Sequence, residues 1–571
     1  IAKVNAETRE RFQDFDALRG KHASAGEFWD LVVITAADHK QREAYEVQIS
    51  SKLKANELPT SAEYVVVEDP PGYKIGNGGS TMVVLEVLYE KYGENLYDKK
   101  CIIIHAGGYS QRLLIASVLG KVFTSVPLNE PLYQLLELKL ASYIDFPRKI
   151  ERGGVFVYNT KRFFIGVTGL AHPSSVTIGT THGVYLLNHD APVDTLIRSC
   201  KKFLHKPSAE RMHATDGCVI RNGAEELVLT DSAFFMAPDV CEKLRKFYTS
   251  HKPLTCEIDA YGDFMQALGS KSDDQYITNS ANVVFETDSL VALRQEVFQL
   301  MRDTPLQVVC LASFNDVPDS DKITSHFYHF GTTAEYIEIL TKDSGFLDLV
   351  GSDGLAYCAD QTAKRSMYSI AASVIYSIMQ VGDGSVIEYC KFKENVSIGA
   401  NCILSNCILK PNTTLPDGIL LHTVAICSPD TDSANKSIKY VTVLFSVLDC
   451  MKSAVPISSA ANLTYLGKPL ENWFKNPDQA FSDVQSTKAS LWNAKLFTVC
   501  DSMEESAHHS INMLKQLNQN WERGEKLKLD EGLLSMSDAL RLKNVNAMLS
   551  FRLGIFKEIE MTRTQNSVAS A

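Results

Sequence analysis

Two glycine-rich segments carry the residue types that can grip a phosphate chain. They are Gly76-Asn77-Gly78-Gly79-Ser80-Thr81 and His105-Ala106-Gly107-Gly108-Tyr109-Ser110-Gln111-Arg112. Glycine lets a backbone turn sharply and bring N–H groups against phosphate oxygens with no β-carbon in the way. The second segment follows the apolar run Cys101-Ile102-Ile103-Ile104, and Lys121 stands nine residues beyond Arg112. A planar guanidinium and a nearby ammonium supply the neutralising charge. A buried strand, a glycine turn and then two cations is the pattern expected of a nucleoside triphosphate cradle. It is not a Walker A loop, which needs Gly-Lys-Ser/Thr. The first segment has Gly-x-Gly but lacks the third spaced glycine and the acidic residue of a dinucleotide site.

Other residues are less specific alone. Lys206, in Phe203-Leu204-His205-Lys206-Pro207, reads by itself as a surface lysine at a strand end. Glu257-Ile258-Asp259-Ala260-Tyr261-Gly262-Asp263 gathers three carboxylates around one glycine. Hard oxygen ligands so spaced suit magnesium, which takes one or two carboxylates plus phosphates and water. The same spacing suits a helix amino terminus decorated with acids. Asp231, before Phe234-Phe235, reads as a turn residue.

The elements that must position these residues alternate strand and helix. Leu31–Ile34, Tyr64–Val67, Cys101–Ile104 and Val155–Val157 are strand-like, with helical stretches between them, the last from about Pro131 to Tyr143. This order predicts a mostly parallel α/β sheet whose ligands bind beyond the carboxyl ends of its strands. Near Ser369 the texture changes. Val386, Phe392, Ile398 and Leu404 recur every six residues, with Gly382, Gly384 and Gly399 at turns. That period predicts a parallel β-helix. Beyond Ser506 the pattern is helical, with stripes at Ile511, Met513, Leu514 and Leu517 and at Leu534, Ala539, Leu540 and Met548. The expected organisation is an α/β domain over 1–365, a β-helix over 366–500 and a helical ending over 501–571.

A net charge of -11 argues against a general nucleic-acid or membrane-surface binder, so a phosphate site must be a local positive pocket. The 13 cysteines lack CxxC spacing and read as small buried hydrophobes in a reducing compartment. No signal peptide or membrane-length apolar run is found, so the cytoplasm is expected, with a native start upstream of Ile1.

Together these residues resemble the sugar-1-phosphate nucleotidyltransferases. Gly107-Gly108-x-Ser110-x-Arg112-Leu113 with Lys121 is similar to their Gly-rich Arg…Lys signature, Lys206-Pro207 to their Lys-Pro element, and Glu257-Ile258-Asp259 to their later metal-binding acid. The stretches Gly76–Thr81, Pro131–Leu140, Ala171–Ser175, Gly179–Val184 and Glu257–Leu268 resemble the branch that makes GDP-L-fucose. The resemblance implies a Rossmann-like nucleotidyltransferase domain, a left-handed parallel β-helix and C-terminal helices. It implies GTP and L-fucose 1-phosphate as substrates and Mg2+ as cofactor. It assigns Arg112 with the Gly107 and Gly108 amides to the β and γ phosphates, Lys121 to the α-phosphorus and Lys206 to the sugar phosphate. It also assigns metal to Asp259, with Asp263 as a further candidate, and substrate contacts to Gly76, Asn77, Gly78, Gly79, Ser110, His182 and Gly183. Self-association through the β-helix is a further expectation by analogy. The chain departs from the family after Val157, where Tyr158-Asn159-Thr160-Lys161-Arg162-Phe163 replaces an acidic Ala-Asp-Asp motif. That departure keeps a second reading in view, a non-catalytic nucleotide-sugar binder. A hexapeptide acyltransferase would fit the β-helix alone, with His422 as the histidine nearest the coils.

Overall fold

Runs of β-branched and aliphatic residues form the strands of a ten-stranded sheet. It is seen in a computed structural model that describes residues 2–149, 154–156, 166–188, 197–222, 225–279, 289–310, 328–350, 355–356, 368–375, 380–428, 437–482 and 487–569. Along one path the sheet runs Glu63–Glu68, Leu31–Ala36, Lys100–Ile104, Gly154–Phe156, Glu225–Met236, Val167–Ser175, Leu306–Cys310, Ile197–His205 and Gly183–Leu187. Ile220–Asn222 pairs off that path with Glu225–Met236. The first four strands of this path are mutually parallel, and Leu306–Cys310 is parallel to Val167–Ser175. Glu225–Met236 runs antiparallel to both its neighbours on the path, and Ile197–His205 is antiparallel to Leu306–Cys310 and to Gly183–Leu187. The expectation of a mostly parallel sheet is thus corrected to a mixed sheet, parallel in its first part and largely antiparallel in its second. The periodicity of single runs cannot show where helical crossovers give way to direct strand returns.

The chain divides into two units, each assembled from separated stretches. One comprises Arg11–Gly108 and Leu140–Tyr328 and holds the ten-stranded sheet. The other comprises Ile1–Glu10, Tyr109–Lys139 and His329–Ala571. Boundaries at 365 and 500 do not describe this division. The 109–139 stretch belongs with the C-terminal half because its side chains are built into it. Leu132 packs with Ala371, Val374, Tyr389, Ile555 and Ile559, and Gln134 Nε2 donates to the Tyr389 hydroxyl at 3.3 Å.

In this second unit the six-residue recurrence steps around three ladders of short parallel strands. Val386 and Leu404 lie in the first, Phe392 in the second and Ile398 in the third, all buried. Successive strands of each ladder are 17 residues apart, as are the Ser385 and Ser373 hydroxyls from the amides of Cys402 and Cys390 that they accept. Asn395, Asn401, Asn406 and Asn412 hold left-handed backbone between these strands, a conformation asparagine tolerates better than most side chains. Helix Met503–Glu522 lays Ala507, Ile511, Leu514 and Leu517 inward, and its Ser510 Oγ donates to the Thr442 carbonyl of strand Ile438–Ser446 at 2.6 Å. Phe392→Ala should cost about 3–5 kcal/mol through lost burial and the cavity left behind. An unchanged denaturant midpoint would show that this side chain does not fill the interior of the ladders.

Candidate active site

The first glycine loop opens helix Gly76–Tyr92, and its amides are already engaged. The Ile258 carbonyl accepts the N–H groups of Gly78 at 2.9 Å and Gly79 at 3.3 Å, and Ile258 N–H returns to Ile75. A β-carbon on Gly76 would lie 2.4 Å from the Ile258 oxygen, and one on Gly78 2.8 Å. Glycine is required here so that the irregular 256–259 segment can lie against the helix start. Asn77 reinforces the join, its Oδ1 accepting Ala260 N–H at 2.7 Å. The loop thus anchors the acidic segment that carries Asp259.

The second loop leaves strand Lys100–Ile104 through His105, whose Nε2 lies 3.0 Å from Thr81 Oγ1. Gln41, on helix His39–Lys54, then clamps the turn. Its Oε1 accepts the Gly108 N–H at 3.2 Å and the Ala37 N–H at 2.7 Å, and its Nε2 donates to the Gly108 carbonyl at 2.8 Å. A β-carbon on Gly108 would meet open space, so it is the φ of 115° that calls for glycine. The Gly108 amide, expected to face phosphate, is therefore held by Gln41. Nothing in the sequence of a polar helix distinguished this glutamine.

In the same unit, charged groups gather around Asp231. Gly183 N–H donates to Asp231 Oδ1 at 2.8 Å, and Gly183 pairs across the strands with His205. A β-carbon on Gly183 would strike the Phe203 ring at 2.0 Å. Lys206 holds left-handed backbone, φ 44°, and its N–H donates to the His182 carbonyl at 3.0 Å. For a lysine this conformation is uncommon and is held in place by its surroundings. Asp259 Oδ1 caps the following turn by accepting the amides of Tyr261 at 2.9 Å and Gly262 at 2.6 Å. Its second oxygen, Oδ2, lies outside that cap. Asp263 is different: it is buried, ion-paired with Arg294 at 2.7 Å, and its Oδ2 accepts Asp259 N–H at 2.7 Å. Burial pushes its carboxyl up to about 6 although Arg294 opposes the shift. Asp259 therefore fits a magnesium ion that takes its remaining ligands from phosphates and water, whereas Asp263 is committed to Arg294. Among the described residues no three His, Cys, Asp or Glu side chains converge on a common metal position. The segment Tyr158–Phe163 lies outside the described residues.

The remaining candidates belong to the other unit. Ser110 is left-handed, φ 45°, and its carbonyl accepts Leu113 N–H at 2.8 Å. Arg112 is exposed, and its carbonyl accepts both Thr333 N–H at 2.8 Å and Thr333 Oγ1 at 3.1 Å. Lys121 begins a short turn after Gly120 and is half-buried. Its ammonium is pushed down to about 8, chiefly by burial and then by the like charges of Lys139 and Arg112, with Glu335 pulling the other way. Glu335 is fixed by Gly331 N–H at 3.1 Å and Thr332 Oγ1 at 3.0 Å. The charge of Arg112 is thus felt at Lys121. His422, the candidate for acyl transfer, is buried among the ladder strands with its imidazole lowered to about 3, first by burial and then by Arg552.

Asp231 has a carboxyl raised to about 7, mainly by burial, while Gly183 N–H works against the shift. A carboxyl raised on folding stabilises fully below its unfolded value and loses that contribution as pH rises to the folded value. Folding stability should accordingly fall between about pH 4 and pH 7 through this group. Asp231→Asn should flatten the profile in that window, read by denaturant titrations at several pH values; an unaltered slope would remove Asp231 as its source.

The fucose pyrophosphorylase domain family matches residues 93–502. Over 611 residues, covering 100% of both chains, the protein is 39% identical to fucose-1-phosphate guanylyltransferase of Mus musculus. It is also 39% identical to the Homo sapiens enzyme of that name, over 97% of this chain and 95% of the human one. A bifunctional fucokinase/GDP-fucose pyrophosphorylase of Arabidopsis thaliana is 23% identical across 84% of this chain, which spans 48% of that longer protein. With glycine turns, paired cations and an acidic anchor set in a sequence alike from end to end, this chain belongs to the fucose-1-phosphate guanylyltransferase family.

Proposed function

We propose that this protein transfers a guanylyl group from GTP to L-fucose 1-phosphate, releasing pyrophosphate and giving GDP-L-fucose. The observation that carries this reading is the full-length likeness to two guanylyltransferases, in a chain that keeps Arg112, Lys121 and Lys206. A phosphate oxygen of the sugar phosphate attacks the α-phosphorus of GTP, and the bond from that phosphorus to the β-phosphate oxygen breaks. Such a displacement depends on alignment and charge neutralisation more than on covalent help. Arg112 binds the β and γ phosphates through its planar fork, and Lys121 offsets charge growing around the α-phosphorus. Lys206 holds the sugar phosphate, and Asp231 with Gly183 and His182 shapes the sugar pocket. Asp259 would hold Mg2+, which when bound supplies neutralising charge for the two anionic substrates.

The same reading extends to the rest of the chain. The three ladders stepping by 17 residues support a parallel β-helix, as the six-residue period predicts. Among the described residues no helix is long and apolar enough to cross a membrane. Among the described residues nine cysteine thiols are buried. Those thiols suit the reducing cytoplasm, where we place the reaction.

Pyrophosphate release from GTP and L-fucose 1-phosphate tests the activity directly; purified protein that turns over neither this pair nor a related nucleotide and sugar phosphate would remove the reading. Arg112→Ala and Lys121→Ala should each lower kcat about 100-fold or more while circular dichroism stays native. Near-normal turnover in either variant would cancel the role given to that residue. Because Lys121 must be charged, kcat should fall as pH rises through about 8. Lys121→Arg should move any remaining activity's alkaline limb upward, and an unmoved limb would assign it to another group.

A further inference from the structure

The reading above gives the ladders no part in the reaction, yet a carboxylate lies inside them. Glu388 closes strand Val386–Glu388 and is 2% exposed. Its Oε2 accepts Ser125 Oγ and the Tyr336 hydroxyl, the latter at 3.1 Å, and its Oε1 accepts Ser405 Oγ at 2.6 Å. Ser405 Oγ accepts Asn406 Nδ2 at 3.1 Å, and Asn406 Oδ1 accepts Arg552 Nε at 2.9 Å. The Arg552 guanidinium lies 3.7 Å above the Tyr389 ring. Burying such a network seldom adds stability over well-packed apolar side chains, so its retention calls for a different account.

The donors supply one. Ser125 follows the short turn Lys121–Phe123. Tyr336 adjoins Glu335 on helix Thr333–Thr341, and its hydroxyl also reaches the Ser125 carbonyl at 3.4 Å. The same helix holds the Arg112 carbonyl through Thr333. On the other side of the lysine, Lys543 Nζ donates to the Val118 carbonyl at 3.0 Å. Both cations and the counter-ion Glu335 are thus strung between fixed points, and Glu388 joins two of them.

We propose that Glu388 is a positioning residue for guanylyl transfer: by binding Ser125 and Tyr336 together it sets Lys121 and Glu335 in register with each other. The proposal rests on the role assigned to Lys121 above. Displacing a charge-stabilising group by about 1 Å costs up to about 100-fold in rate without loss of binding. In the full-length protein, Ser125→Ala and Glu388→Ala should therefore lower kcat by about 10- to 100-fold, with KM for the sugar phosphate within about twofold. Glu388→Gln, which keeps an oxygen acceptor, should recover part of the loss. Ser125→Ala combined with Glu388→Gln should be no slower than the slower single variant, because both cut one link. Ser125→Ala alone carries the test if Glu388→Ala fails to fold.

Lys121→Ala, run alongside, separates the two possible failures. If it abolishes turnover while Ser125→Ala and Glu388→Gln lower only the melting temperature, Glu388 is purely structural and the proposal falls with the catalytic reading intact. If Lys121→Ala turns over normally, both fall.

Discussion

A lysine held in half-buried surroundings beside like charges is the constraint on which the proposed chemistry turns. Burial and the neighbouring charges of Lys139 and Arg112 all favour loss of the Lys121 proton, and Glu335 opposes them. Such a balance keeps the ammonium cationic near neutrality while leaving it weakly solvated, the condition in which a point charge acts most strongly on a phosphate. Glu335 is held in this part by Gly331, Thr332 and His329, so the start of helix Thr333–Thr341 matters to the proposed site as much as the lysine does.

The unit with the ten-stranded sheet solves a complementary problem. There carboxylates are buried or half-buried, and each is answered differently. Asp263 has Arg294, Asp259 has two backbone amides, and Asp231 has the amide of Gly183. Burial raises two of these carboxyls, Asp231 to about 7 and Asp263 to about 6. A group poised between acid and anion can either donate to or accept from a hydroxyl, which suits the sugar pocket proposed for it. Glycine at 183 is fixed by Phe203, whose ring occupies the space a β-carbon would need.

What the sequence made legible followed from local pattern. A strand before a glycine turn, a six-residue apolar period and an amphipathic ending each depend on neighbouring residues, and each is seen. Long-range partners left no such trace. Gln41 clamps Gly108 across 67 positions, and Glu388 meets Ser125 across 263. The glycines of the first loop looked like phosphate ligands because crowding by a ligand and crowding by Ile258 demand the same residue. Asparagine takes four of the left-handed positions between ladder strands and glycine two, so glycine marks only part of the pattern. Parallel and antiparallel strands look alike in composition, which is why the sheet's change of direction was invisible.

The order of segments along the chain is not their order in space. Residues 109–139 are made early in synthesis but belong to a unit that also holds helices Met536–Leu542 and Val545–Ala569. Helix Thr333–Thr341 can already hold the Arg112 carbonyl, whereas the ties from Glu388 to Ser125 and from Lys543 to Val118 wait on residues made later. The arginine and lysine to which the proposed reaction assigns its positive charge thus gain their full set of supports late in the emergence of the chain.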